Sequence, residues 1–469
     1  MALRERLPGS RREAGSGGSA TAEYGKTASF LAVGVGLTGV ITYVYFLVAS
    51  HLLSEFDYGQ ITVLWSAVFI TISTLYRPVE QLLSRHISER TAKGQPVNEP
   101  MRVAATIQFG LSLTFAVAAL ALRGPIQNDL LEGNETLYWI FFSSVLFYAA
   151  SYFARGFLAG SQRFGLFTAL ILSESCFRTI FAVLVAIGIL EGQSAVAIGI
   201  TAAPALSLLV VPFAFARRAK QQSDAPPPPP DAKHEEFSFA HGGGFAAAVL
   251  LIMFSEQAFL NAGPLITRGL EGASEAGFIF NVLMLARAPL QVFQAVSTSI
   301  LPHLTKLHTS KEEDSDREFS RSVSMVLAGV SAFTALVVVV VLIAGPKLMQ
   351  IAFGDNFTYD RAGLLLVSLG MGLYLASVTV NQACIAQGQV RRAAVRWIAC
   401  AAVFIAWDLL PIVEDVHRRV EIGFLLAAGV LFSLLYYAYR HPHERAEDVP
   451  EPGSPEELEA RLAIMDENI

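Results

Sequence analysis

Ionisable side chains within long apolar segments are the residues of this sequence that are best placed to do chemistry. Such a residue costs about 2.5–3.5 kcal/mol at the centre of a membrane helix, so it normally faces a cavity or an opposite charge. An arginine guanidinium recognises phosphate and carboxylate groups through two parallel hydrogen bonds. The residues that could bind a substrate are four arginines and one amide: Arg77, Arg155, Arg178, Arg287 and Gln291. The carboxylates that could bind and release a cation or a proton are Glu80, Glu174, Glu256 and Asp408.

Some of these residues also have a purely structural interpretation. Glu174 and Arg178 are four residues apart and therefore share one helix face, so they could form an internal salt bridge. The same holds for Arg77 and Glu80, which are three residues apart. Arg155 lies close to the end of an apolar segment, and we expect its side chain to reach lipid headgroups rather than a site.

The other candidates have no local partner. Arg287 has no acidic neighbour at helical spacing, so it requires a partner on another helix, a water-filled cavity or an anionic ligand. Gln291 follows it by one turn and could hydrogen-bond sugar hydroxyls or another helix. Glu256 and Asp408 could be coupling carboxylates, but we expect each of them to form a salt bridge across the helix bundle.

The composition excludes several classes of protein. The chain is 53% hydrophobic and 16% charged, whereas soluble domains carry about 25% charged residues, so it is predicted to be a polytopic membrane protein. Its net charge of −6 gives no indication of nucleic acid. The sequence has no Gly-rich phosphate loop and no His/Cys spacing of the zinc type, so we expect neither a cofactor nor a metal. Its three cysteines lie in apolar segments, and no disulfide is predicted.

Twelve apolar segments have about the length of 20 residues that a membrane helix requires. They predict an all-α protein with two lobes of six helices each. The first six are 27–50, 60–83, 103–122, 137–154, 165–190 and 195–216, and the second six are 243–267, 277–301, 322–344, 362–386, 394–413 and 421–439. The segment 394–413 is the weakest prediction, because it contains Asp408.

The connections between these segments alternate in charge. Arginines and lysines follow segments 2, 4, 6 and 10, and acidic residues such as Glu132 and Glu271 mark the opposite set. The bias of Lys and Arg predicts that the basic connections and both termini are cytoplasmic, in a multi-pass protein of the cell membrane. The predicted boundaries are a disordered tail 1–25, a lobe 26–216, a linker 217–240 with the prolines Pro226–Pro230, a lobe 241–440 and a tail 441–469.

The two halves carry similar short segments in the same order. Gly59 and Gly277 each open an apolar segment, at Tyr58–Gln60 and Ala276–Phe278, and they are 218 residues apart. Ser84 and Pro302, which close the same two segments, are separated by the same 218 residues. In addition, Leu158–Arg163 is similar to Ile385–Arg391 with one residue inserted. An even number of helices per half predicts parallel repeats, related by a pseudo-two-fold axis along the membrane normal.

Four short motifs lie at the ends of predicted helices. The first, Leu52–Gly59, is an outer turn in which a Tyr-Gly pair opens the second helix, and Arg155–Phe164 is an inner turn after the fourth. Leu301–Leu304 contains the proline that ends the eighth helix, and Ile351–Phe357 is an outer loop before the tenth. Together these motifs resemble those of the polysaccharide flippases of the multidrug/oligosaccharidyl-lipid/polysaccharide (MOP) exporter superfamily, over roughly residues 25–440.

This resemblance implies flipping of a polyprenyl-pyrophosphate-linked oligosaccharide from the inner to the outer leaflet, for cell-surface polysaccharide biosynthesis. The two lobes would expose a central cavity to each side in turn, with arginines lining it. Its partners would be the lipid-linked substrate and the bilayer, with glycosyltransferases or the polymerase of polysaccharide assembly as candidates. The alternatives are a cation-coupled, MATE-type exporter of small molecules, a membrane glycosyltransferase and a scaffold. The short outer loops argue against the glycosyltransferase, so an enzyme is not expected.

Overall fold

The computed structural model describes residues 16–92, 94–212, 239–287 and 315–441, and within them the regular structure is helical. The helices of the first half are α1 (Ser16–Leu52), α2 (Glu55–Leu75), α3 (Arg77–Ala92), α4 (Asn98–Ala121), α5 (Glu135–Gly160), α6 (Phe164–Ala186) and α7 (Gly192–Ser207). Those of the second half are α8 (Phe239–Glu271), α9 (273–287), α10 (Ser315–Phe353), α11 (Arg361–Ala386), α12 (Val390–Leu409) and α13 (Val416–Arg440). Each predicted segment is represented by a helix, so the all-α prediction with two lobes is confirmed.

Ten helices among the described residues are long and apolar enough to cross a membrane, which makes this a multi-pass membrane protein. The second predicted segment, 60–83, is two helices, because α2 ends at Leu75 and α3 begins at Arg77. Pro78 explains the break, since it has no N–H to continue the hydrogen-bond ladder of α2. α12 is not among these ten helices, which agrees with segment 394–413 being the weakest prediction.

The predicted disordered tail 1–25 is wrong for its last ten residues, because α1 begins at Ser16. Once a helix has formed, each further residue adds a hydrogen bond without a new nucleation step, so the membrane helix extends into polar sequence. The other predicted boundaries remain predictions. Residues 1–15, most of the linker at 213–238, and the tail from 442 onward lie outside the described residues.

One end of the bundle is formed by the connections 53–54, 122–134, 187–191, 354–360 and 410–415, and we call it the acidic end. Four of the helices that begin here, α2, α5, α11 and α13, do so on polar caps. Ser54, Asn134, Asp360 and Asp415 each accept hydrogen bonds from main-chain amides in the first turn of the helix that follows. Side chains of this kind satisfy orphan amides and suit the positive end of the helix dipole. Part of the acidic bias of these loops is therefore structural.

The repeated segments of the two halves are also equivalent in structure. A Cβ atom added to Gly277 would lie 3.2 Å from the Cα atom of Gly59, so these two residues of α2 and α9 are in contact. Equivalent residues of two repeats can touch in this way only near the axis that relates the repeats. The predicted pseudo-two-fold axis therefore passes between α2 and α9.

The second pair of similar segments forms the same helix-ending turn. After α5, the Arg163 amide donates to the Leu158 carbonyl over 2.8 Å, and after α11 the Gln389 amide donates to the Cys384 carbonyl over 2.8 Å. The residue before each donor has a positive φ, 57° at Gln162 and 77° at Gly388. This is the Schellman arrangement, in which a left-handed residue closes the last helical turn.

Candidate functional site

The lobes are joined at the acidic end by a set of contacts that we call the acidic-end seal. The Tyr58 hydroxyl donates to the Asn281 side chain over 2.5 Å, one turn after the contact between Gly59 and Gly277. Arg268 of α8 forms an ion pair with Glu132 of the first lobe over 3.1 Å. Aromatic rings continue these contacts toward the centre, as in the pair Phe46 and Phe280, whose centroids are 4.6 Å apart. In this conformation the path between the lobes is closed at the acidic end.

Charged side chains lie between and within the lobes further from this seal. In the first lobe, Arg155 of α5 forms an ion pair with Glu174 of α6 over 2.6 Å, and Ser151 also hydrogen-bonds Glu174 over 3.2 Å. The predicted pairing of Glu174 with Arg178 is therefore wrong. The expectation that Arg155 reaches lipid headgroups is wrong for the same reason, since helix packing places Arg155 opposite Glu174.

Arg178 has no carboxylate partner in the described part of the chain, although it is only 2% exposed. Its Nη2 atom is 3.5 Å from the Ser175 hydroxyl, and its Nε and Nη1 atoms have no hydrogen-bond partner in the described part of the chain. The guanidinium lies over the Trp65 ring, 4.3 Å from the centroid. A cation over a tryptophan ring gains about 2 kcal/mol or more when it is desolvated, so Trp65 offsets part of the unpaired charge.

Arg77 and Glu80 open α3 directly after the helix break. The structure shows no ion pair between them, which overturns that predicted structural pair. Two cations interact electrostatically with Glu80: Arg155, which has the larger effect, and Arg77. Arg77 also acts on Glu256, which belongs to α8 of the second lobe. The charges of the first lobe therefore extend across the lobe interface.

Arg287 belongs to α9 of the second lobe. Its Nε and Nη2 atoms are buried, and the described residues offer them no hydrogen-bond acceptor. Glu256, Arg287 and Arg77 each lie near enough to Tyr374 of α11 to interact with it electrostatically. Gln291, the remaining substrate-binding candidate, lies outside the described residues.

These residues form one set, which we call the central charge cluster: Arg77, Glu80, Arg155, Glu174, Arg178, Glu256, Arg287 and Tyr374. It contains four arginines and three glutamates, so it has a surplus of positive charge. Such a set favours an anionic group, because arginine makes charge-assisted, bidentate hydrogen bonds to phosphate and carboxylate.

Asp408 does not belong to the cluster. It is fully buried, one residue before the end of α12 at the acidic end, and its carboxylate oxygens have no hydrogen-bond partner among the described residues. The predicted salt bridge is not formed, although Arg419 is adjacent. Arg419 instead donates to the main-chain carbonyl of Asp408 over 3.1 Å.

A second charged network ties α11 to α13 at the acidic end. Glu421 accepts hydrogen bonds from the Tyr359 hydroxyl and, over 2.8 Å, from Arg418, which also binds Asp360 over 2.5 Å. Burial opposes the ionisation of Asp360, but the Arg418 guanidinium and two main-chain amides outweigh it and lower the pKa of that carboxyl. Burial and the Glu421 charge raise the pKa of Tyr359. Side chains in the described residues form no group that could hold a metal ion.

The aromatic members of the site were not predicted from the sequence. Tyr374 lies near the charged residues of the second lobe, and the Trp65 ring packs against the guanidinium of Arg178. The centroid of the Tyr152 ring is 4.6 Å from the guanidinium carbon of Arg155. Each lies in an apolar segment where an aromatic residue is ordinary, so spacing alone gives no signal for them. An arginine without a carboxylate partner attracts aromatic faces. A nearby arginine of this kind is therefore the feature that could have indicated these aromatic residues.

The fold is similar to solved structures of transporters. An inward-facing multidrug resistance MATE family transporter of the MOP superfamily aligns with a TM-score of 0.65 at 9% identity, covering 88% of this chain and 97% of that one. The eukaryotic MATE transporter AtDTX14 aligns with a TM-score of 0.59 at 15% identity, covering 95% and 99%. A MOP superfamily transporter from Pyrococcus furiosus, for which reversed polarity of the binding pocket suggests a different function, aligns with a TM-score of 0.55 at 13% identity, covering 89% and 96%.

No protein-family model matches the sequence, and no curated protein does so either. At the identities given above, the structural likeness establishes the architecture of the chain. This chain therefore has the fold of the MATE transporters of the MOP superfamily.

Proposed function

We propose that this protein is an alternating-access flippase, which moves a polyprenyl-pyrophosphate-linked oligosaccharide from the inner to the outer leaflet. The observation that carries this proposal is the unpaired Arg287 of the central charge cluster. An arginine in a membrane bundle requires a counter-charge, and none of the described carboxylates forms an ion pair with it. A pyrophosphate or an acidic sugar supplies that counter-charge during transport.

The arrangement of the lobes supports the same proposal. The acidic-end seal closes one side of the interface, and the central charge cluster lies on the other side of it. Rocking of the two similar lobes against each other, across the interface between α2 and α9, would open this seal and expose the cluster to the opposite face. The pocket of the Pyrococcus furiosus transporter has reversed polarity, so different pocket charges occur on this fold. Here the surplus of arginine favours an anionic substrate.

Replacement of Arg287 tests the proposal. Arg287→Ala removes charge-assisted hydrogen bonds worth about 1.5–3 kcal/mol each, so we expect flipping to fall by about tenfold or more. Because Arg287 has no carboxylate partner to strand among the described residues, the amount of folded protein should hardly change. Arg287→Lys should retain part of the activity, since it keeps the charge but loses the planar fork. The measurement is the appearance of a lipid-linked glycan in the outer leaflet of proteoliposomes.

Arg123→Ala is the matched control, because it also removes a guanidinium but at the acidic end, where Arg123 pairs with Glu135 on the surface. It should flip at the wild-type rate. Wild-type flipping by Arg287→Ala would exclude Arg287 from substrate binding and remove the main support for a flippase.

The second candidate function is a cation-coupled, MATE-type exporter of small molecules. Glu256 favours it, because this carboxylate of α8 has no ion pair in the described residues and only the charge of Arg77 acts on it. An exporter of this kind would use an imposed ion gradient to carry a small molecule, and Glu256→Gln would abolish that transport. The two assays on the same proteoliposomes therefore distinguish the candidates.

We further propose that the protein acts in the cell membrane beside the glycosyltransferases or the polymerase of polysaccharide assembly. A flippase requires one enzyme class that builds its lipid-linked substrate and another that consumes it. Crosslinking in native membranes would test this association.

A further inference from the structure

Glu174 lies within reach of two arginines but binds only one of them. Its carboxylate pairs with Arg155 of the neighbouring helix over 2.6 Å. Arg178 follows Glu174 by four residues on α6, which is the spacing at which oppositely charged side chains of one helix meet. A change of side-chain rotamers would therefore transfer Glu174 from Arg155 to Arg178 without any movement of the backbone.

The unpaired arginine is also the more deeply buried one. Arg178 is 2% exposed and has two nitrogen atoms without a hydrogen-bond partner in the described chain. A buried charge that lacks its partner is strongly destabilising, and the Trp65 ring supplies only part of the compensation. The burial of the Arg178 guanidinium is explained if this residue pairs with a carboxylate in another state of the protein.

Exposure decides which arginine an anion can reach. The side chain of Arg155 is 15% exposed, whereas that of Glu174 is 4% exposed. The charge of Arg155 also acts on Glu80, which belongs to the part of the cluster that extends toward the second lobe. An anion that enters between the lobes thus meets Arg155 and not Arg178.

We propose that Glu174 exchanges its arginine partner when substrate binds, an inference that rests on the proposed function. The anionic head group takes the guanidinium of Arg155, and the Glu174 carboxylate turns to Arg178. Arg178 is thus a positioning residue, which never touches the substrate but keeps Glu174 paired while Arg155 is occupied. Without it, substrate binding would strand a buried carboxylate.

Titration with inorganic pyrophosphate, followed by calorimetry on the full-length protein in detergent, tests this exchange. Arg178→Gln should weaken pyrophosphate binding about tenfold, within the usual range of coupling between sites. Arg178→Lys should retain most of the affinity, because it still offers Glu174 a cation. The double variant Glu174→Gln/Arg178→Gln should regain at least wild-type affinity, since Arg155 is then free. A purely structural Arg178 would give a loss that Glu174→Gln does not reverse.

Trp65 offers a second readout, which does not depend on the stability of the variants. Its ring lies 4.3 Å from the guanidinium that Glu174 would approach, so pyrophosphate should change its fluorescence. The change should be lost in Trp65→Phe and in Glu174→Gln. If Arg178→Gln fails to fold, the Trp65 fluorescence of Glu174→Gln decides, because only a carboxylate that moves toward Arg178 explains a change that is present in the wild type and lost in this variant.

The outcomes separate this inference from the proposed function. Unchanged affinity in Arg178→Gln, or a Trp65 fluorescence change that persists in Glu174→Gln, would overturn the exchange and leave the flippase standing. Pyrophosphate binding with the expected pattern but without lipid flipping would overturn the flippase alone. A wild-type protein that does not bind pyrophosphate would overturn both.

Discussion

At the scale of single residues, Arg419 shows how a buried cation is stabilised here without a carboxylate. It is 5% exposed and donates to the carbonyls of Val413, Asp408 and Glu414 over 2.8, 3.1 and 3.4 Å. These carbonyls lie at and after the C-terminal end of α12, where the helix dipole favours a positive charge. Arg419 therefore closes the turn between α12 and α13, and the Asp408 carboxylate has no hydrogen-bond partner among the residues that the structure describes.

Arg419→Ala should destabilise the protein by about 3 kcal/mol, because it leaves buried carbonyls without donors. Thermal unfolding in detergent would show this as a lower midpoint. Arg361→Ala removes an exposed arginine from the first turn of α11 and should leave the midpoint unchanged. Equal midpoints for the two variants would mean that the carbonyl contacts contribute nothing to stability.

At the scale of elements, the contact of α2 with α9 depends on the absence of side chains. A Cβ atom at Gly59 would lie 1.9 Å from the Ala273 carbonyl oxygen, whereas one at Gly277 would lie 3.2 Å from Gly59. Real Cβ atoms do not approach main-chain atoms to the first of these distances, so the helices would have to separate. The hydrogen bond from Tyr58 to Asn281 lies on the same two helices and would separate with them.

Gly59→Ala should accordingly open the acidic-end seal, and Gly277→Ala should do so to a smaller extent. Spin labels on cysteines at Phe56 and Glu271, one in each lobe, should report a longer distance in Gly59→Ala than in the unsubstituted glycine background. Gly110→Ala is the control, since a Cβ atom there meets nothing within 4 Å. An unchanged distance in Gly59→Ala would show that the seal tolerates a methyl group and is not held by this contact.

At the scale of the whole molecule, the charged loops define the two ends of the bundle. Four of the helices that begin at the acidic end carry polar caps, and basic residues such as Arg391 collect at the opposite end. Because caps alone account for part of the acidic bias, the orientation in the membrane depends on the arginines and lysines. They predict a cytoplasmic location for the basic end, both termini and the Pro226–Pro230 linker.

Cysteine labelling tests this orientation. With Cys176, Cys384 and Cys400 replaced by alanine, Glu271→Cys should react with an impermeant thiol reagent added outside intact cells. Arg391→Cys should react only after the membrane is permeabilised; both positions are exposed, so accessibility of the side chain does not limit the reaction. Labelling of Glu271→Cys only from inside would invert the predicted topology and with it the direction of transport.

The order and repetition of the helices were determined by the sequence alone, whereas the division of segment 60–83 into α2 and α3 appeared only in the structure. A segment of about 20 apolar residues in a bilayer must satisfy its amides internally, so composition and length suffice to predict a helix. The similar segments around Gly59 and Gly277 likewise predicted two related lobes, since duplication leaves its trace in the chain itself. The candidate charges could also be predicted, because an arginine or a glutamate in such a segment is unusual wherever its helix packs.

Only the tertiary structure decided which charged side chains pair with each other. Spacing along α6 pairs Glu174 with Arg178, yet packing of α5 against α6 brings Arg155 to Glu174 instead. In the same way, Arg419 prefers carbonyls to the carboxylate beside it, and Tyr374 enters the site from a helix that carries no other predicted site residue. Periodicity specifies the face of a helix on which a side chain lies, whereas its partner depends on the rotation and depth at which two helices pack.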